Sequence, residues 1–194
     1  EACGNQIDDE TIIIAYSNSS VKEYNDFVRN HFFPNQSTIT KGDKIILVSN
    51  NYNYQIELLN GDFGVIKEVS TIKETRNITI KRKNKSGKLV EIKVPLHFRN
   101  VTIQFKDTDE KSYDIKCKII ENILYSTERD LSSDELKALY LDFKIRNPNL
   151  KAGTKELKDA LRTDKYFNAL RIKFGYAVTC HKSQGGEWKN VFVN

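Results

Sequence analysis

Residues 176–188 read Tyr-Ala-Val-Thr-Cys-His-Lys-Ser-Gln-Gly-Gly-Glu-Trp, and they follow the apolar stretch that starts at Leu170. A strand that empties directly into hydroxyls, an imidazole, an ammonium, an amide and two glycines has the inventory for touching a polyanion. Thr and Ser hydroxyls and open backbone N–H groups donate to phosphate oxygens, and Lys182 adds charge. Gly185 and Gly186 allow a close backbone approach. The same inventory also fits a polar strand-to-helix connection with no ligand, and composition alone does not choose between the two.

Working outward, the 194-residue chain has room for one ordinary domain or two small ones. Its 39% apolar and 29% charged residues suit a folded chain. Lys and Arg exceed Asp and Glu by 31 to 26, giving +5 and a pI near 9.0. Such a surplus attracts phosphate backbones. It is concentrated at Lys81, Arg82, Lys83, Lys85 and Lys88, with no acidic residue from 81 to 88. This cluster fits either contact with duplex DNA or a lysine-protected sheet edge.

Other chemistries find little support. Cys3, Cys117 and Cys180 are odd in number and far apart, which points to a reducing, cytoplasmic setting rather than a disulfide or metal framework. His31, His97 and His181 have no Cys, Asp or Glu at metal spacing, and no G-x-S-x-G string is present. No apolar run approaches the ~18 residues that a membrane span needs. Asp8, Asp9 and Glu10 precede an apolar strand and read as a solvated flank. With no methionine and an end at Asn194 inside a strand-like run, the sequence reads as an excised piece.

The run Thr11–Tyr16 (TIIIAY) lacks alternation, as expected of a central parallel strand. Ser17 to Ser20 then supply caps for a helix on which Val21, Tyr24, Phe27 and Val28 recur at helical spacing. Pro34 ends that unit. From Lys41 to about Leu124 the pattern turns to short strands at 45–48, 63–69, 78–83, 89–94, 101–105 and 115–120. Turns at Asn60-Gly61-Asp62 and Asn84 to Gly87 reverse them, and a small barrel or meander is the economical fold. Phe63 reads as core, while Tyr52 and Tyr54 fit either base stacking or packing. Ser132 or Ser133 begins a helix that ends near Asn147-Pro148, and Thr154–Leu161 forms another. The run 170–179 returns as a single strand, and Val191–Val193 begins one more.

The segment Thr179-x-His181-Lys182-x-Gln184-Gly185-x-Glu187-Trp188 resembles motif V of RecD-like superfamily 1 helicases, the 5′ to 3′ subgroup with a UvrD-like C-terminal domain. Thr11 to Arg29 is similar to the motif IV region. Gly42-Asp43-Lys44 followed by Asn60-Gly61-Asp62-Phe63-Gly64 is similar to the start of the family's SH3-like 2B insertion. The resemblance implies an α/β, partly RecA-like (P-loop NTPase type) 2A domain interrupted by a small SH3-like β-barrel. Residues 1–38 and 170–194 would be the two parts of 2A, residues 39–124 the insertion, and residues 125–169 a helical connection.

It also implies roles for individual residues. Thr179, His181, Lys182, Ser183 and Asn18 would meet single-stranded DNA, and Gln184, Gly185, Glu187 and Arg29 the nucleotide. Lys81 and Lys83 are added from their charge, facing a duplex junction. ATP and Mg²⁺ would bind in the parent enzyme against a missing N-terminal 1A domain. The string G-x-x-x-x-G-K-[ST] is absent here, so the phosphate loop is expected upstream and motif VI downstream. The piece alone is expected to be a monomer that neither hydrolyses ATP nor unwinds DNA. The competing expectation is a non-enzymatic β-barrel module that binds nucleic acid or protein through its basic centre.

Overall fold

The computed structural model describes residues 10–84, 86–107 and 109–194. Cys3, Asp8, Asp9 and Lys85, singled out above, lie outside the described residues. The chain is a mixed α/β structure of two sheets. In the first, β1 (Thr11–Ala15) lies between β7 (Ala177–Thr179) and β8 (Asn190–Val193), and both neighbours run parallel to it. The central position expected for β1 is what its unalternating apolar run demands.

The second sheet is antiparallel, in the order β5 (Ser112–Ile120), β4 (Leu89–Lys106), β3 (Phe63–Lys83), β2 (Lys44–Leu47), β6 (Ile172–Phe174). Four runs expected as separate short strands are two long ones. Residues 73–77 pair in register with 95–99 after irregularities at 66–68 and 69–73, so β3 and β4 form one extended hairpin. Pro95 is tolerated because β5 pairs β4 only from Phe98 onward, which leaves the outer edge at Pro95 unladdered. At the hairpin tip, Asn84 Oδ1 accepts from the N–H groups of Ser86 and Lys88, and Gly87 takes φ +77°.

Where a barrel was expected, the described sheet is open. Its edges β5 and β6 meet only through an isolated parallel bridge between Ile119 and Leu170. Closure would need a ladder, but only Leu170, just before β6, reaches β5, bonding to Lys118 O and Ile120 N–H. The chain then leaves this sheet at Gly175. The run read as one strand from 170 to 179 divides there: Ile172–Phe174 joins β2 of the antiparallel sheet, and Ala177–Thr179 joins β1 of the parallel one.

Helix α1 (Asn18–Phe32) is capped by Ser17, whose side chain accepts from Ser20 N–H. Its buried residues are Asn25 and Arg29, whereas Phe27, expected on the apolar face, is exposed. The short α2 (Glu121–Leu124) follows β5 directly. Helix α3 (Ser133–Arg146) carries a capping box in which Ser132 and Glu135 bond reciprocally, and it stops at Asn147 before Pro148. Helix α4 (Lys155–Thr163) is capped by Thr154. None of the described helices is long and apolar enough to cross a membrane.

Three clusters form the core. The largest fills the lower half of the antiparallel sheet around Leu47, Ile66, Ile103 and Phe105, with Phe174 and Tyr176. The second packs the upper hairpin, including Ile80 and Leu96, against Ile123, Leu139 and Ala138. The third is small and joins the sheets: Ile12 and Val178 from one, Ile46 from the other, with Phe63 and Trp188 half-buried beside them.

Gly175 makes the passage between sheets possible. A Cβ there would stand 2.9 Å from the carbonyl carbon of Ile45 and 3.0 Å from its oxygen, backbone atoms already held in the ladder. Gly175→Ala is therefore expected to destabilise the fold by about 1–3 kcal/mol through overpacking against a neighbour that cannot move aside. Urea unfolding measures this, and a midpoint equal to that of the unaltered chain would show that the strands separate freely.

Candidate nucleic-acid interface

The loop after β7 is built by its own backbone and by one aromatic anchor. Lys182 and Ser183 donate their N–H groups to Thr179 O at 2.9 and 3.1 Å, and Gly186 N–H donates to Ser183 O at 3.2 Å. Ser183 Oγ donates to Cys180 O at 2.8 Å, so its proton closes the turn instead of pointing outward. Gly185 adopts φ +79°. Gly186 lies under the Trp188 ring, where any Cβ would overlap it. Trp188 in turn packs edge-on to Phe63, centroids 6.0 Å apart, tying the loop to the antiparallel sheet. Phe63 thus has the packing role read from the sequence.

The strand that launches this loop is fixed by polar contacts. Asn25 Oδ1 accepts from the N–H groups of Tyr176 and Ala177, both at 2.9 Å, and its Nδ2 donates to Ala177 O at 3.2 Å. Tyr176 OH donates to Asp43 Oδ1 at 2.8 Å and accepts from Lys44 N–H at 3.1 Å. Asp43 also accepts from Arg29 Nε at 2.8 Å, Arg29 Nη2 at 3.1 Å and Thr40 N–H at 2.8 Å. Burial and the neighbouring Asp43 carboxylate push the Tyr176 hydroxyl well above the usual phenol range, so it remains a donor.

That network corrects the expectation for Arg29. Its buried guanidinium also donates to Gln36 O and Thr38 O, leaving no fork free for a nucleotide. Its task is structural.

The remaining loop residues share one open groove of about 1020 Å³. Asn18, Thr179, His181, Lys182, Gln184, Gly185 and Glu187 line it, together with Tyr16, Ser17, the turn 60–62 and Arg129. His181, Gln184 and Glu187 are exposed, while Thr179 and Lys182 are half-buried. A second, much smaller cavity of about 40 Å³ shares Asn18, Thr179, Lys182 and Arg129 with the groove and adds Lys22 and Lys173. The structure therefore brings Asn18 together with Thr179, His181, Lys182, Gln184, Gly185 and Glu187, but neither Arg29 nor Ser183, whose hydroxyl is spent on Cys180 O, joins them.

Lys81 and Lys83 are elsewhere, at the hairpin tip. Lys81 pairs with Glu91 at 3.3 Å, and Arg82 pairs with Asp134 at 2.5 Å. Tyr52 is largely exposed, and Tyr54 packs partly into the main core. His97 Nδ1 lies 3.0 Å from Thr75 Oγ1, and the His31 ring meets Phe32 edge-on. Among the described residues, no group of three or more His, Cys, Asp or Glu is placed to hold a metal ion.

Arg129 and Lys173 escaped the sequence reading. Arg129 sits between Glu128 and Asp130 in a charged connection with no local signature, and Lys173 alternates within an ordinary strand. Their convergence on Lys182 is a property of the fold. Burial, Lys173 and Arg129 together lower the Lys182 ammonium to about 8, only partly opposed by Asp130.

Residues 174–194 match the UvrD-like helicase C-terminal domain family. The match covers β7, the groove-lining loop and β8, and it supports a helicase C-terminal segment at this end of the chain. No curated protein matches the chain.

Two expectations follow from the geometry. Asp43→Ala strands a buried guanidinium and removes four acceptor contacts, so it is expected to cost about 3–5 kcal/mol in urea unfolding. A loss below about 1 kcal/mol would show that the network is dispensable. The Lys182 ammonium, followed by NMR of its side chain, is expected to titrate near 8. A lysine lowered on folding takes up protons more readily when unfolded, so stability should rise as pH increases from about 8 toward the unfolded lysine value. Arg129→Gln should move the midpoint upward. A Lys182 midpoint at the ordinary lysine value would contradict the half-buried cationic cluster.

Proposed function

We propose that this chain is part of an ATP-dependent DNA helicase or translocase of the RecD-like superfamily 1 type, in which the groove beside β7 holds the backbone of a single strand. The observation that carries the reading is the meeting of Asn18, Thr179, His181 and Lys182 on one groove, from ends of the chain separated by the whole antiparallel sheet. Their chemistry suits phosphate oxygens and ignores base edges, as a motor indifferent to sequence requires. The helicase family match to residues 174–194 supports the same reading.

In the proposed architecture, the parallel sheet is part of a RecA-like 2A domain, and the open antiparallel sheet is its SH3-like 2B insertion. Gln184, Gly185 and Glu187 are exposed on the outer wall of the groove, where they offer an amide, a bare backbone and a carboxylate to a nucleotide approaching from a partner domain. ATP with Mg²⁺ would supply the energy for translocation in the parent enzyme. This chain's part is to hold strand phosphates and to present that wall. A half-site retains a minority of the ligand contacts, so the isolated chain binds nucleotide weakly.

A second reading has its own observation. The exposed Lys83 and Lys88 flank the hairpin tip, and their ammonium groups have no ion-pair partner among the described residues, as suits a duplex-facing arm or a binding module centred there. Fluorescence anisotropy with an oligothymidylate at two salt concentrations separates the two. In the groove reading, Thr179→Ala/His181→Ala weakens a salt-sensitive signal about tenfold or more, and Lys81→Ala/Lys83→Ala has little effect. The reverse pattern would replace the groove by the arm, and no salt-sensitive binding at low salt would count against both.

A further inference from the structure

We infer that Arg129, Lys182 and Asn18, backed by Lys173, form a discrete phosphate-binding subsite where the small cavity opens into the groove. The inference deepens the strand-binding reading and rests on it for the source of the phosphate, while the anion site itself stands on its own geometry.

The cations come from three separate segments. Arg129 follows α2, Lys173 lies on β6, and Lys182 lies in the loop after β7. Asn18 opens α1, whose side chain capping is already complete through Ser17, so the Asn18 amide remains available to a ligand. All four line the small cavity, and three of them, Asn18, Arg129 and Lys182, also line the groove.

Of the acids nearby, Asp62 and Glu187 line the groove but not the small cavity, and two others are paired elsewhere. Asp26 is ion-paired with Lys22, and Asp130 pairs with Arg171 at 2.8 Å. Lys173 Nζ donates to the carbonyl oxygens of Ser126 and Glu128, which orient it without neutralising it. Among the described residues, neither Arg129 nor Lys182 has an ion-pair partner. Burial and cationic neighbours lower Lys182, and burial lowers Lys173 against the opposing pull of the Glu128 and Asp130 carboxylates. At Lys182, burial and repulsion from Lys173 and Arg129 outweigh the attraction of Asp130, and a bound anion relieves that repulsion while accepting from several donors. A tetrahedral phosphate suits the set, because an Arg fork, a Lys ammonium and an Asn amide donate from different directions.

The test uses the whole chain and inorganic phosphate, titrated against chloride at matched ionic strength and followed by backbone amide NMR. Saturable shifts confined to residues near 17–20, 126–130 and 179–183, reduced about tenfold in apparent affinity by Arg129→Gln, are expected. Arg129 is exposed, so a thermal midpoint no lower than that of the unaltered chain should confirm that the variant folds. No shift beyond chloride, or shifts indifferent to Arg129→Gln, would overturn the subsite.

Two further arms identify the source. If oligothymidylate displaces phosphate, and Arg129→Gln lowers the log–log salt slope of strand binding by about 0.7, the phosphate belongs to a strand backbone. If only Mg-ATP displaces it, the subsite stands but serves a nucleotide, and the strand reading of this groove fails.

Discussion

The buried ion pair of Arg29 with Asp43 is the contact on which the relation between the two sheets depends. Arg29 comes from α1 above the parallel sheet, and Asp43 immediately precedes β2 of the antiparallel one. Buried charges of this kind contribute little net stability by themselves, since desolvation offsets their attraction. They are tolerated here because both charges are densely bonded. Asp43 receives two bonds from the guanidinium, one from Thr40 N–H and one from Tyr176 OH, while Arg29 places two more donors on Gln36 O and Thr38 O. Such a set has one geometry that satisfies it, and breaking any member leaves a charge unpaired in the interior.

Specificity of arrangement follows from that. Tyr176 sits at the point where the chain leaves β6 and enters β7, with Gly175 just before it against the Ile45 backbone. Asn25 holds the N–H groups of residues 176 and 177, so α1 positions β7 through an amide where most helices use an apolar stripe. Trp188 then closes the far end of the loop on Phe63. The loop is therefore held at both ends by different sheets, and any displacement of one sheet against the other changes the groove between them.

The sequence announced local features well and the long-range ones poorly. Ser17, Ser132 with Glu135, and Thr154 stand at helix starts because capping is a short-range hydrogen bond that residue type and spacing nearly determine. The 179–187 loop stood out because hydroxyls, an imidazole, an ammonium and two glycines follow a strand directly, an inventory that by itself fits a ligand-free connection as well. The division of 170–179 was not, since Ile-Lys-Phe-Gly-Tyr-Ala-Val is apolar on both sides of the glycine, and only the position of the Ile45 backbone decides that the chain must change sheets. Phe27 and Arg29 were misjudged for a related reason: helical periodicity counts apolar residues, whereas this helix meets its sheet through Asn25 and Arg29. Arg129 lacked any local mark, because its meaning arises only when residues far apart in sequence close around it.

The distribution of charge matters more for this molecule than its total. At the hairpin two of the cations are answered by acids, Lys81 by Glu91 across the strands and Arg82 by Asp134 of α3. At the small cavity beside the groove the balance differs, with Asp26 and Asp130 drawn into pairs with Lys22 and Arg171 while Arg129 and Lys182 have no ion-pair partner among the described residues. A fold that assembles such a cluster does so against its own electrostatics, and hydrophobic contacts such as Ile12, Ile46 and Val178 supply the stability that offsets the repulsion. Because the unfolded chain carries no such penalty, whatever anion fills the groove should stabilise the fold as it binds, coupling occupancy of the groove to the rigidity of the loop that lines it.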